Sequence, residues 1–126
     1  MTDSKRSFLT MSDNSVGSEK RILSSLGLCV RAGKVIFGTP MICDAMRRGG
    51  KNKPVAVFEA SDTSDNTHKK LSDKCSFYKV PLHRLTFDGA ELASALGKTA
   101  SLAAIAVTDE RMCAMAVKSI TEDTQV

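Results

Sequence analysis

The 126-residue sequence has no tryptophan, one tyrosine and five phenylalanines. Aromatic faces so scarce argue for a partner held by charge and shape more than by stacking. No apolar run approaches the ~18 residues that a membrane-spanning helix needs. The N-terminal segment also has no apolar core of the kind a secretion signal carries. The chain is therefore expected to be soluble and cytoplasmic. Four cysteines, Cys29, Cys43, Cys75 and Cys113, lie far apart with no CxxC pair and no adjacent histidine cluster. That spacing disfavours zinc or a disulfide framework and predicts buried thiols. Neither GxGxxG nor GxxxxGK[ST] occurs; "RAGKVIFG" has Gly33-Lys34 but not the rest of a phosphate loop. His68 and His83 have no nucleophile spaced to suggest a triad. No catalytic activity, metal or cofactor is expected.

What is present is positive charge. The formal net charge is +4, and the terminal acids Asp3, Asp13, Glu122 and Asp123 outnumber the terminal cations Lys5 and Arg6. The body between them is thus more basic than the whole, which suits a polyanionic partner.

Residues 1–17 are rich in Ser, Thr, Asp and Asn without a periodic apolar face, and read as a disordered leader. One domain is expected over 18–120, with a tail at 121–126. Ile22, Leu23, Leu26, Leu28 and Val30 suit a helix fading at Ala32-Gly33. A strand over 35–37 follows, then a helix over 40–48, with Thr39 as N-cap, Pro40 in the first turn and Gly49 as the stop. The apolar run 55–58 predicts a central strand. A helix with Thr67, Leu71 and Cys75 on one face comes next. Pro81 assigns the third strand to an edge or a strand start. Asp88 and Glu91 form a capping-box pattern with a Phe87–Leu92 staple, and Gly97 ends that helix. "LAAIAV" is a fourth buried strand. Asp109 and Glu110 then open a last helix, with Met112, Cys113, Ala116, Val117 and Ile120 facing inward. Strands separated by helices imply an α/β fold, a three-layer α/β/α sandwich with a mixed four-stranded sheet and helices on both faces.

Ligands of open α/β domains gather beyond the carboxyl ends of strands. Those loops are expected at residues 38–39, at 60–64 and at Thr108. The stretch "KVIFGTPMICDAMRRGG" supplies the first. Its helix N-terminus offers the Gly38, Thr39 and Met41 amides to an anion, since Pro40 has none. Lys34, Arg47 and Arg48 flank it. The same residues also read as a structural cap with solvated charges.

The ordered motifs "LGLCVRAGKVIFG", "RRGG", "DNTHKKLSDKCSFYKVP", "ELASALGK" and "AAIAVTDE" resemble the L7Ae/L30e ribosomal-protein family, in its bacterial YlxQ-like branch. The resemblance covers residues 18–118. It implies an RNA-binding, ribosome-associated protein of the kind that binds kink-turn RNA, with RNA and ribosomal proteins as partners, and the chain is expected to be a monomer. The family's turn runs Gly-x-Asn-Glu-x-x-Lys, with Arg-Gly at the helix end. Gly38 and Arg48-Gly49 match; Pro40, Met41 and Asp44 occupy the Asn, Glu and Lys positions. Pro40 offers no hydrogen bond and Met41 only a weak acceptor, while Asp44 repels phosphate. The family's lysine near the start of the fourth helix falls at Gly89. The loop Lys98-Thr99-Ala100-Ser101 is left to follow an RNA backbone. The expected RNA-contacting set is therefore Lys34, Gly38, Thr39, Met41, Arg47, Arg48, Lys98 and Thr99, with reduced or altered kink-turn selectivity. The alternative is a non-RNA protein-interaction module that kept the fold and lost the reading residues.

Overall fold

Two short strands, β2 (Ala56–Glu59) and β4 (Ala104–Val107), are buried at every position, as central strands with helices on both faces must be. They belong to a computed structural model that describes the backbone of residues 10–125 and the side chains of residues 21–118. The sheet order is β1-β4-β2-β3, with β1 (Val35–Phe37) and β3 (Leu82–Arg84) at the edges. β4 runs antiparallel to both β1 and β2, and β2 is parallel to β3. The expected edge position of the Pro81 strand is what the sheet shows.

Five helices are described: α1 (Thr10–Arg31), α2 (Thr39–Arg48), α3 (Asp65–Tyr78), α4 (Gly89–Ala95) and α5 (Glu110–Gln125). A 3-10 turn (Gly50–Asn52) follows α2. Side chains alternate across a strand, so each central strand feeds two cores. Ala56, Phe58, Ile105 and Val107 pack against Ile22, Leu26, Leu92, Leu96, Cys113 and Ala116 of α1, α4 and α5. Val57, Ala104 and Ala106 pack against Ile42, Met46, Leu71 and Cys75 of α2 and α3. The result is the expected α/β/α sandwich on a mixed four-stranded sheet.

Local signals account for most helix starts. Asp88 accepts from the Glu91 amide at 2.8 Å while Glu91 accepts from the Asp88 amide at 2.9 Å, a complete capping box. Phe87 and Leu92, the expected staple, are both buried in the same core. Asp109 accepts from the Met112 amide at 3.1 Å and caps α5.

Four expectations are corrected. Thr39 is not the N-cap of α2: Gly38 is, at φ 86° and ψ 141°, with no side-chain cap bond. A positive φ of this size favours glycine over threonine. The second strand covers 56–59 instead of 55–58, so its last residue is the buried Glu59. Thr108 does not join the loops after the first two strands, because antiparallel β4 carries it to the opposite end of the sheet. Finally, the Gly38 amide is not open to an anion, since it donates to the Ala104 carbonyl at 3.3 Å. At the termini, the described helices reach back to Thr10 and on to Gln125. They thereby overlap the segments assigned to leader and tail. Residues 1–9 of the leader and the Ile120 side chain lie outside the described residues.

All four cysteines are free thiols, with Cys29, Cys75 and Cys113 buried and Cys43 partly exposed. Burial pushes the Cys75 thiol up to about 11, and raises Cys29 and Cys113 for the same reason. A thiol reacts as its thiolate, so these three stay protonated and slow at neutral pH. Native protein treated with a thiol-specific reagent at pH 7.5 is expected to label at Cys43 first. The other three should react only after denaturation, as peptide mapping by mass spectrometry will show.

Candidate functional site

Strand direction decides which loops meet. β1, β2 and β3 all end where β4 begins, so the turn at Gly38 lies beside the loops 60–64, 85–88 and 96–103. Hydrogen bonds staple these loops together. The Ala60 amide donates to the Ala103 carbonyl at 2.8 Å, and the Ser61 amide to that of Phe87 at 2.9 Å. The Gly89 amide donates to Asp62 Oδ1 at 2.8 Å, and the Leu102 amide to the Gly89 carbonyl at 3.1 Å. Arg84 Nη2 donates to the Ser61 carbonyl at 3.0 Å. The platform is thus fixed mostly by backbone groups, which hold loops in register without regard to their sequence.

The α2 N-terminus stands at one side of this platform. With Gly38 engaged and Pro40 lacking a donor, helix geometry leaves the Thr39 and Met41 amides without intrahelical acceptors. Thr39 Oγ1 is buried and has no hydrogen-bond partner among the described residues. Lys98, on the loop before β4, reaches back over β1, with Nζ 4.2 Å from the centre of the Phe37 ring. That cation–π contact fixes an exposed positive charge next to Gly38. Phe37 is not in the sequence-based set. A lone aromatic inside a strand pattern gives no hint that a lysine from a distant loop will rest on it. Thr99 follows Lys98 on the exposed loop.

The remaining expected residues lie elsewhere. Lys34 is at the other end of β1, about 13 Å from Gly38 by strand rise, where its carbonyl accepts from the Thr108 amide at 2.9 Å. Arg48 is also at that end. It lines a cleft of about 400 Å³ together with Gly33, Ile36, Met41, Asp44, Lys51 and Thr108. Met41, 59% exposed in the first turn of α2, also lines this cleft. The eight residues therefore divide into a cluster at the Gly38 turn (Gly38, Thr39, Met41, Lys98, Thr99) and a basic end (Lys34, Arg47, Arg48). The outer face of α2 joins the two.

Asp44 sits midway along that face, clasped by two arginines. Arg47 Nη2 reaches Asp44 Oδ1 at 2.6 Å, and Arg48 Nη2 reaches Oδ2 at 2.6 Å. The hydrogen bond from Arg47 leads in holding the Asp44 carboxyl below its usual range, with the charges of both arginines assisting. The carboxylate neutralises part of the local positive field and holds both guanidiniums along the helix.

Gly89 explains the missing lysine. A Cβ there would run into Ser101 Oγ and lie 2.7 Å from the Leu102 carbonyl oxygen. The loop before β4 closes directly over the start of α4, and no side chain fits beneath it.

A second feature also escapes the sequence-based set. Glu59, fully buried at the end of β2, meets His68 of α3 with Nδ1 2.8 Å from both carboxylate oxygens. His68 stands beside Lys69 and Lys70 in a polar stretch, where nothing local marks a buried partner. The signal for its partner is an acid closing an otherwise apolar strand.

An α/β/α sandwich with a glycine turn, an adjoining loop platform and a basic helix face defines a small binding domain. The model of the ribosomal protein L7Ae/L30e/S12e/Gadd45 family matches residues 20–116, and the chain belongs to that family. It is similar to RNA-binding protein YlxQ of Enterococcus faecium, with 39% identity over 82 residues, covering 65% of this chain and 76% of that protein. Similarity to RNA-binding protein YlxQ of Bacillus subtilis is 38% over 85 residues, covering 68% and 80%. A protein of unknown function from Bacillus halodurans superposes with a TM-score of 0.72 at 30% identity, over 80% of this chain and 97% of that one. The Giardia lamblia 15.5kD RNA binding protein superposes with a TM-score of 0.67 at 13% identity, over 86% and 89%. That last likeness is one of fold alone.

Proposed function

We propose that this protein binds structured RNA through the Gly38 turn and the loop carrying Lys98 and Thr99, with contacts led by phosphate. The observation that carries the reading is the cation of Lys98 anchored on Phe37 at the mouth of the α2 N-terminus. Ammonium, helix dipole and open amides there all favour an anion. The two relatives named as RNA-binding proteins support the class of partner. Arg47 and Arg48 extend the footprint along α2, and Lys34 before β1 lies at the same end, so the RNA spans more than one turn of backbone. Phosphate contacts position RNA without reading its sequence, and Pro40 and Met41 supply little with which to read bases. The protein therefore binds kink-turn-like RNA with reduced preference for its G·A pairs, in a ribosomal or other ribonucleoprotein setting.

The test compares a standard kink-turn RNA, the same RNA with its G·A pairs disrupted, and an unrelated hairpin, each at several salt concentrations. Comparable affinities with steep salt dependence are expected. A preference lost on disruption would show that base reading survives, and absence of binding to all three at low salt would sink the reading in favour of a protein partner. Lys98→Glu is expected to weaken binding about tenfold and to flatten the salt slope by roughly 1. Asp44→Asn should act in the opposite sense. Freeing the two arginines strengthens binding about fivefold at low salt, and adds about 0.9 to the salt slope for each phosphate they engage. Unchanged affinity in both variants would place the interface elsewhere on the molecule.

A further inference from the structure

The most exposed large apolar side chain described is not at the Gly38 turn. Phe77, near the C-terminus of α3, is 76% exposed. Its ring is held edge-on by Tyr78, with centroids 4.9 Å apart and planes at 83°. Tyr78 in turn packs into the core beneath α2 and α3. Phe77 is therefore a braced ring with an open face.

Its helical neighbours are cationic. Lys70, Lys74 and Phe77 follow the i, i+4, i+7 spacing that stacks side chains in one stripe. The stripe lies away from Leu71 and Cys75, which are buried. The nearest acid along the helix, Asp73, is taken by Lys69 at 3.4 Å. Neither Lys70 nor Lys74 is in an ion pair among the described residues. α2 and α3 both start at the platform end and run back along the same face of the sheet. The C-terminal half of α3 consequently lies toward the same end as Arg47, Arg48 and Lys51.

We propose that this stripe is a second RNA contact, for a single-stranded segment, in which a base stacks on Phe77 and the flanking phosphates lie on Lys70 and Lys74. An open aromatic face at the end of a row of cations suits an unpaired strand, and a duplex cannot use it because its bases are already stacked. The stripe thus takes an unpaired flank of the RNA whose structured part occupies the Gly38 turn. In a chain so poor in aromatics, the one widely exposed phenylalanine among the described residues ends a row of lysines. This inference rests on the RNA-binding reading above, and the experiment separates the two.

Because the chain has no tryptophan, Phe77→Trp introduces a single indole at the proposed stacking position, excited at its red edge, where Tyr78 does not absorb. Titration with an unstructured ten-nucleotide RNA is expected to quench its fluorescence saturably, and the same strand annealed into a duplex is expected not to. Lys70→Glu with Lys74→Glu should abolish the quenching. In the otherwise native chain, Phe77→Ala should weaken single-strand binding about tenfold while leaving affinity for a blunt structured hairpin unchanged. If the hairpin binds, but the single strand neither quenches the introduced indole nor loses affinity in Phe77→Ala, the second contact is refuted and the first stands. If no RNA binds at all, both fall. If Phe77→Ala instead removes a concentration-dependent dimer seen in sedimentation, the ring is a self-contact and the proposal is overturned.

Discussion

Gly89→Lys is expected to destabilise the domain without restoring a lysine contact to RNA. The glycine is buried at the first position of α4, with the loop before β4 lying across it. Even Gly89→Ala places a Cβ 2.7 Å from the Leu102 carbonyl oxygen, closer than real Cβ contacts allow. The Ser101 hydroxyl can rotate away, but a backbone carbonyl can yield only if the loop moves. Moving it strains the Leu102–Gly89 bond of 3.1 Å and the Gly89–Asp62 bond of 2.8 Å. Overpacking of this kind costs about 1–3 kcal/mol, and each loosened hydrogen bond about 1 kcal/mol more. Gly89→Ala should lose about 3 kcal/mol in urea denaturation, and Gly89→Lys more, with RNA binding falling in parallel with the folded fraction. Wild-type stability in Gly89→Lys would show that the loop is free to open. In that event the lysine position of the family would be available after all.

The same residue shows what sequence reasoning reaches. The motif resemblance leads to the expectation that the family's lysine falls at Gly89, but only the fold shows that the loop around Ser101 and Leu102 fills the space there. Elements whose signals are local are legible. The Asp88–Glu91 capping box and the edge proline Pro81 stand where their chemistry put them, and the apolar run of the second strand is displaced by one residue. Strand direction is not legible, because the period of two is the same in parallel and antiparallel strands. That is why sequence alone puts Thr108 at the wrong end of the sheet. The α2 cap is displaced by one residue for a different reason. Threonine is a good cap by propensity, but the chain needs a positive φ there, and only the glycine provides it readily. The contact between Lys98 and Phe37 joins segments far apart in sequence, so no local pattern contains it. The division of the eight candidate residues into two clusters follows from the same cause.

His68→Ala is expected to lower stability by about 2–3 kcal/mol, the second large effect. Glu59 ends β2 with no exposure to solvent, between Ala104 on one side and Arg84 on the other in the strand register. The imidazole of His68 meets both carboxylate oxygens at 2.8 Å. Without it the acid is enclosed by protein and loses the partner that offsets its desolvation. Breaking a fully buried pair costs about 3–5 kcal/mol. The His68 side chain is 42% exposed, so water screens part of the interaction and the smaller figure applies. For a domain of this size the loss corresponds to a fall in Tm of roughly 10 °C. The double variant Glu59→Val with His68→Ala should recover most of it, because no buried carboxyl group then lacks a partner. Non-additivity across that cycle is the decisive measurement. If the two single changes simply sum, the pair contributes nothing as a pair. The consequence extends to the binding platform. α3 starts just after Asp62, whose carboxylate holds the Gly89 amide, and His68 in its first turn ties that start to the sheet. Loosening the start of α3 releases the loop 60–64 from the Gly38 side, so His68→Ala should also weaken hairpin RNA binding at temperatures where the domain is still folded. Glu59→Val with His68→Ala should restore it, which a defect in direct RNA contact by His68 would not allow.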